Sequence, residues 1–165
     1  MPVNKKQAAV GGGAALTAMA AILLPYTSHW EGTRLIPYRD LGGVMTVCTG
    51  ETRVQMRRYT PAECKAMLQR ALKDEYGPKV LACVPGIDRN IFAFAALTDA
   101  AYNAGPAAAC RSPMARAFRV GNWRAGCAAF KGWYDTVKGL SVKGLRNRRV
   151  EDKTWSETAL CRKGL

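Results

Sequence analysis

The sequence predicts a mainly helical α+β fold with one small β unit near its start. Residues 34–52 are rich in Gly, Val, Thr and Tyr, and Asp40 and Gly42-Gly43 supply turn signals, so this stretch reads as short strands in a hairpin-like unit. Apolar residues at Cys64, Met67, Leu68, Ala71, Leu72 and Tyr76 recur at steps of three and four, the mark of one helix face. Ile91 to Tyr102 is almost wholly apolar, which predicts a central helix buried on all sides. The 165 residues suffice for one domain with a real core and are too few for two ordinary enzymatic domains.

The elements carry their own punctuation. Thr60-Pro61-Ala62-Glu63 is a helix start, with a Thr cap, Pro at the first position and Glu three residues after the Thr. Gly77-Pro78 is expected to bend or end that helix. Asn103-Ala104-Gly105-Pro106 stops the central one. Further helices are expected over about 112–119, 122–133 and 143–161.

The first thirty residues are ambiguous by themselves. Lys5 and Lys6 precede an uncharged run of 17 residues, Ala8 to Leu24, before Pro25. A helix of that length reaches about 26 Å, against a bilayer core of about 30 Å. Ala, Gly and Thr17 make up 11 of the 17 positions, so little apolar area is carried outside Val10, Leu16, Met19, Ile22, Leu23 and Leu24. Three readings fit. A helix buried in the domain must tolerate Gly11-Gly12-Gly13, each weakening it by about 1 kcal/mol relative to Ala. A cleaved signal peptide fits the basic start and the small residues around Ala18-Met19-Ala20. An uncleaved anchor fits as well, with its lysines left in the cytoplasm and the rest of the chain exported.

Twenty-five Lys and Arg against twelve acids give a net charge of +13, concentrated in residues 111–165, which carry +9. Such a charge seeks a polyanion: nucleic acid, an anionic membrane face or an acidic wall polymer. No nucleic-acid recognition motif is visible. Six cysteines without a CxxC pair, and one histidine, supply a metal finger poorly, so neither metal nor cofactor is expected. Disulfides in an oxidising compartment suit the even count better. Cys64–Cys83 is a poor pair, because an unbroken helix would hold the two about 28 Å apart.

Among the acids, Glu63, Asp74, Glu75, Asp88, Asp135, Glu151, Asp152 and Glu157 read as solvated surface groups, and Asp99, inside the apolar helix, as a buried structural acid. Glu31 and Asp40 differ. Glu31 follows Trp30, and Asp40 stands at a turn before two glycines. A carboxyl beside an aromatic is desolvated and suited to act as a general acid, while a carboxylate in a wetter setting stays ionised. Two such groups are what glycoside hydrolysis requires.

The segment from Trp30 to Gly50 resembles the active-site segment of the phage-type lysozymes, glycoside hydrolase family 24. That family's pattern of Glu, eight residues, Asp, five residues, Thr falls on Glu31, Asp40 and Thr46. Tyr38-x-Asp40 and the Thr46-Val47-Cys48-x-Gly50 ending match its lambdoid branch. The Thr60 helix start, Ala101-Tyr102-Asn103-Ala104-Gly105, and Gly144-Leu145 followed by Arg148-Arg149 extend the resemblance over about residues 30–165. It implies a lysozyme-like fold with a small β unit, a long interdomain helix and a helical C-terminal lobe. It also implies a peptidoglycan muramidase, acting as a monomeric endolysin. Glu31 would be the general acid, Asp40 the stabiliser of ring charge or helper of water, and Thr46 the holder of the attacking water. Arg148 and Arg149 would support the Glu31 region, and Tyr38 and Tyr102, with Trp30, would line the sugar groove, core packing being the alternative for each of the three. Two departures stand out: Glu51 where the branch often has His, and Ser112-Pro113-Met114 where it has Ser-Thr-Leu. The lone His29 reads as exposed and inert.

Some lambdoid relatives carry a signal-anchor-release segment, held uncleaved in the membrane and later freed. By that resemblance residues 1–26 form such a segment, with 8–24 in the inner membrane, and 27–165 form the catalytic domain, which passes to the periplasm on release. A secreted lysozyme with a cleaved signal, or a lysozyme-like domain that only binds the wall, are the alternatives. The sequence before Cys48 contains no cysteine, so activation by disulfide exchange with the anchor is excluded.

Overall fold

The computed structural model describes residues 5–40, 42–137 and 139–165; the first four residues of the expected anchor lie outside it. The chain begins with a 27-residue helix, α1 (Lys5–Glu31). It runs through the glycine triplet and through Pro25, where the apolar run ends, so Glu31 rides on the same rod as Met19 and Leu23. Pro25 removes one helical hydrogen bond, to the carbonyl of Ala21. Both residues are exposed, so water can satisfy that carbonyl. Packing supplies what propensity lacks. Met19, Ala20, Leu23, Tyr26 and Thr27 are buried, whereas Gly13, Ala14, Thr17, Ala18, Ala21 and Pro25 face solvent. The large side chains are on the seated face and the small ones on the wet face. Among the described residues no helix is long and apolar enough to cross a membrane.

Gly32, at φ 68°, ends α1, its N–H bonding the carbonyl of Ser28. The expected hairpin follows: β1 (Arg34–Arg39) pairs antiparallel with β2 (Met45–Cys48), placing Tyr38 opposite Thr46. The next helix starts as its sequence specifies. Thr60 Oγ1 accepts from the N–H of Glu63 while the Glu63 carboxylate accepts from the N–H of Thr60, opening α2 (Pro61–Arg70). Gly77-Pro78 neither ends nor interrupts it. A π-helical stretch, Ala71–Tyr76, widens the coil just ahead of the proline, and α3 (Gly77–Cys83) continues. A π-bulge of this kind accommodates the missing N–H and the ring that would crowd a regular turn.

The central helix α4 (Ile91–Ala104) is buried without a break from Ala93 to Ala101. It forms the floor on which α1, α3 and the C-terminal helices pack. α5 (Pro106–Arg111), α6 (Pro113–Arg119) and α7 (Trp123–Ala128) follow. In this region Ser112 caps α6, accepting from the N–H of Ala115, and Met114 fills the core. A two-stranded ribbon, β3 (Thr136–Val137) and β4 (Leu140–Ser141), was not legible in the sequence. The helix expected over 122–133 stops at Ala128, and the one expected over 143–161 is broken. α8 (Lys143–Arg146) runs into a π turn, Asn147–Glu151, and α9 (Glu157–Arg162) begins anew. Asp152 makes the break by accepting from the N–H groups of Thr154 and Trp155, a local alternative to helical bonding.

Three disulfides, Cys48–Cys64, Cys83–Cys110 and Cys127–Cys161, tie β2 to α2, α3 to α5, and α7 to α9. Loops of this size are each stabilised by about 3 kcal/mol through restriction of the unfolded chain.

Gly77, the first residue of α3, lies close against α1. A Cβ there would lie 2.6 Å from Met19 Cε and 2.7 Å from Leu16 Cδ2, whereas a Cβ on Gly13 meets nothing within 4 Å. Both glycines are in helices, where Ala is favoured by about 1 kcal/mol. Gly13→Ala should therefore raise the urea midpoint, and Gly77→Ala should lower it, because overpacking of about 1–3 kcal/mol outweighs the propensity gain.

Candidate active site

Glu31 occupies the last position of α1. A carboxylate there faces the negative end of the helix dipole, an unfavourable placement unless a cation answers it. Arg148, from the π turn, does so: its Nη1 donates to Glu31 Oε1 at 2.6 Å. The same guanidinium donates through Nε and Nη2 to Asp99 on α4, both at 3.0 Å. Arg148 is 4% exposed and Asp99 2%. Burial opposes the charge on Arg148, but Asp99 and Glu31 outweigh it and hold its pKa above the ordinary value. Thr27 Oγ1, on α1, donates to Asp99 Oδ1 at 2.8 Å.

The two adjacent arginines part company. Arg149 turns away from Glu31, and its fully buried guanidinium donates to Glu157, to Asn103 Oδ1 and to the carbonyl of Trp133. Glu157, read above as a solvated acid, is 1% exposed; Arg149 draws it in. Burial, with the nearby charge of Asp99, pushes its pKa up to about 8 despite Arg149 and Arg148. Adjacent residues on a π turn diverge, so a double arginine in a sequence does not say which one serves the site.

Asp40 sits on the hairpin turn. Its Oδ1 accepts from the N–H groups of Gly42 and Val44 at 2.8 and 2.9 Å, which fixes the carboxylate. Thr46, on β2, is 3% exposed, and its hydroxyl donates to the carbonyl of Val44 at 3.0 Å. With its proton committed there, the oxygen is left as an acceptor. Tyr38, across the sheet from Thr46, lies under the Arg34 guanidinium, 4.3 Å from the ring centroid.

A polar cavity of about 220 Å³ beyond the end of β2 has Gly50, Glu51, Arg53, Glu75, Tyr76 and Tyr102 in its lining, and none of Glu31, Asp40 and Thr46. Tyr102 donates to the carbonyl of Thr49 at 2.5 Å and packs against Tyr76 at 4.9 Å between centroids. Burial, and then the charge of Glu31, raise the Tyr102 pKa, so the phenol stays a donor. Glu51 is pushed up by its own burial, opposed by Arg53 and reinforced by Glu75. Trp30 and His29 lie on the other side of α1's end. Trp30 Nε1 donates to the carbonyl of Trp155, and His29, though exposed, stacks on the Trp155 ring at 4.8 Å. Both therefore serve to seat the helix end. Among the described residues no cluster of His, Cys, Asp and Glu could hold a metal ion.

A carboxyl at a helix end paired with a buried arginine, and a second carboxylate fixed on a β turn, are carried on one mainly helical α+β fold. The profile of the phage lysozyme family matches residues 28–152, and the chain belongs to that family. The SAR-endolysin of Escherichia phage Mu is 33% identical over 156 residues, covering 89% of this chain and 82% of that one. The SAR-endolysin of Enterobacteria phage P21 is 34% identical over 149 residues, covering 86% and 87%. The fold is shared with the active form of P1 phage endolysin Lyz, at TM-score 0.63 and 24% identity over 87% of this chain and 84% of that one. It is shared also with an endolysin from Escherichia coli O157:H7 phage FAHEc1, at TM-score 0.64 and 23% identity over 87% and 92%. The protein is a peptidoglycan-lysing glycoside hydrolase with the mainly helical α+β fold of lysozymes.

The Glu157 carboxyl sets a pH dependence of stability. Its folded pKa lies above the unfolded value of 4.5, so the folded state binds more protons between the two. This contribution is fully present below pH 4.5 and declines as pH rises toward 8. Urea midpoints measured from pH 4.5 to 8 should fall along this limb, and Glu157→Gln should flatten the fall.

Proposed function

We propose that Glu31 is the general acid of this muramidase, Asp40 its ring-charge stabiliser and Thr46 the holder of the attacking water, with α1 serving first as a membrane anchor. The observation that carries the reading is the Glu31–Arg148 pair. As Glu31 passes its proton to the glycosidic oxygen, it becomes a carboxylate, and Arg148 is in place to stabilise that conjugate base. Asp40, anchored through one oxygen by two backbone N–H groups, opposes the positive charge growing on the sugar ring. Thr46 Oγ1 accepts a hydrogen bond from water, leaving the water's lone pair for the anomeric carbon, and the proton that water loses as the bond forms passes to the Asp40 carboxylate. Tyr102 and Tyr38 offer ring faces to the sugar chain.

The two faces of α1 support the anchor reading. Uncharged from Ala8 to Leu24, the helix is weakly retained by lipid, since each buried methylene contributes only about 0.8 kcal/mol. Once seated on the domain it buries Met19 and Leu23 completely, each worth about 1.5–3 kcal/mol, and leaves mostly Ala, Gly and Thr exposed to water. Release from the inner membrane into the periplasm then delivers Glu31 to Arg148. Cleavage after Ala20 would strip Met19 and Ala20 from the core, so the reading is of an uncleaved, monomeric enzyme.

In a peptidoglycan zymogram, Glu31→Gln should abolish the clearing band while wall pelleting persists. Persisting lysis would overturn the acid assignment. The intact mass of the periplasmic protein should match the full chain; loss of about 20 N-terminal residues would point to a cleaved signal instead.

A further inference from the structure

We propose that Asp99 and Thr27 are positioning residues that couple the seating of α1 to the assembly of the catalytic acid. The inference rests on the reading of Glu31 as that acid. A guanidinium is a rigid plane with five donors. When Asp99 takes Nε and Nη2, the plane is fixed and Nη1 is the donor left facing Glu31, at 2.6 Å. Asp99 thus aims Arg148 without touching Glu31. A rival carboxylate is close by: Glu157 Oε1 lies 3.9 Å from Arg148 Nε. Without the fork on Asp99, the guanidinium would be free to turn toward Glu157 and away from the acid.

Thr27 supplies the link to α1. It stands four residues before Glu31, one helical turn below it on the same face. Its hydroxyl meets Asp99 Oδ1 at 2.8 Å, while Glu31 meets Arg148. The helix therefore grips the Asp99–Arg148 pair at two points one turn apart, which fixes its rotation and its axial register together. Thr27 is fully buried, in a helix whose other buried side chains are apolar or aromatic from Met19 to Tyr26. A buried hydroxyl without a partner costs about 1–3 kcal/mol, so any other register of α1 is penalised. A valine would fill the space equally well but would lack this discrimination.

The test compares Thr27→Val, Thr27→Ser and Asp99→Asn in the full-length released protein, with kcat, KM and the pH–rate profile measured on soluble peptidoglycan fragments. A misaimed acid lowers kcat by about ten- to a hundredfold. Thr27→Val should show such a loss with KM within twofold of wild type and a displaced pH profile, and Thr27→Ser should restore both. A wild-type kcat and profile in Thr27→Val, or a Ser variant as defective as Val, would overturn the proposal. Asp99→Asn leaves a buried arginine under-paired and can compromise folding, so the pair is also read through denaturation midpoints of the two single variants and the double variant. Non-additive midpoints support the coupling, and additive ones sink it. That second measurement does not depend on activity. Full activity of Glu31→Gln would therefore refute the acid assignment while leaving the link between Thr27 and Asp99 under separate test.

Discussion

The guanidinium of Arg148 is the group on which the site depends. It is buried at the meeting point of three elements: the end of α1, the middle of α4 and the π turn that carries it. Its two bonds to Asp99 and one to Glu31 are charge-assisted and largely hidden from water, where such bonds are stronger than at a surface. Removing one partner of a buried charge pair leaves the other uncompensated, at about 3–5 kcal/mol. The contacts that position Glu31 are therefore among those that hold α1 to the rest of the molecule. The placement of Glu31 and the docking of the helix cannot be varied independently here.

A second buried charge pair lies beside the first. Arg149 donates to Glu157 Oε1, to Asn103 and to the Trp133 carbonyl, while Glu157 Oε2 is buried without a hydrogen-bond partner among the described residues. Burial, with the nearby charge of Asp99, pushes the Glu157 carboxyl up against the pull of Arg149 and Arg148. An ionised Glu157 would compete for Arg148.

Much of this was legible in the sequence, and for local reasons. The Thr60 capping box is a four-residue event, and the structure has both of its reciprocal bonds. The apolar stretch from Ile91 needed no partner to be recognised as central, because a helix apolar on all sides has to be buried. The spacing of Glu31, Asp40 and Thr46 is fixed by one helix end and one hairpin. What the sequence hid was decided at long range. Glu157 is buried because Arg149 is, and Asp99 gains its purpose from a residue 49 positions away. The break at Asp152 and the π stretch before Pro78 are backbone responses to local conflicts that periodicity does not register. Pro25 marked the end of the apolar run in the sequence, yet the helix passes through it to reach Glu31.

The three disulfides have a further consequence. All of them lie between Cys48 and Cys161, and α1 takes part in none. The body of the enzyme is thus covalently cross-linked, while the helix that carries Glu31 is held by packing, hydrogen bonds and the Glu31–Arg148 ion pair. The seating of that helix is therefore set by non-covalent contacts and not by a covalent bond to the body. On the proposed reading of Glu31 as the acid, activity would follow how completely that helix is seated.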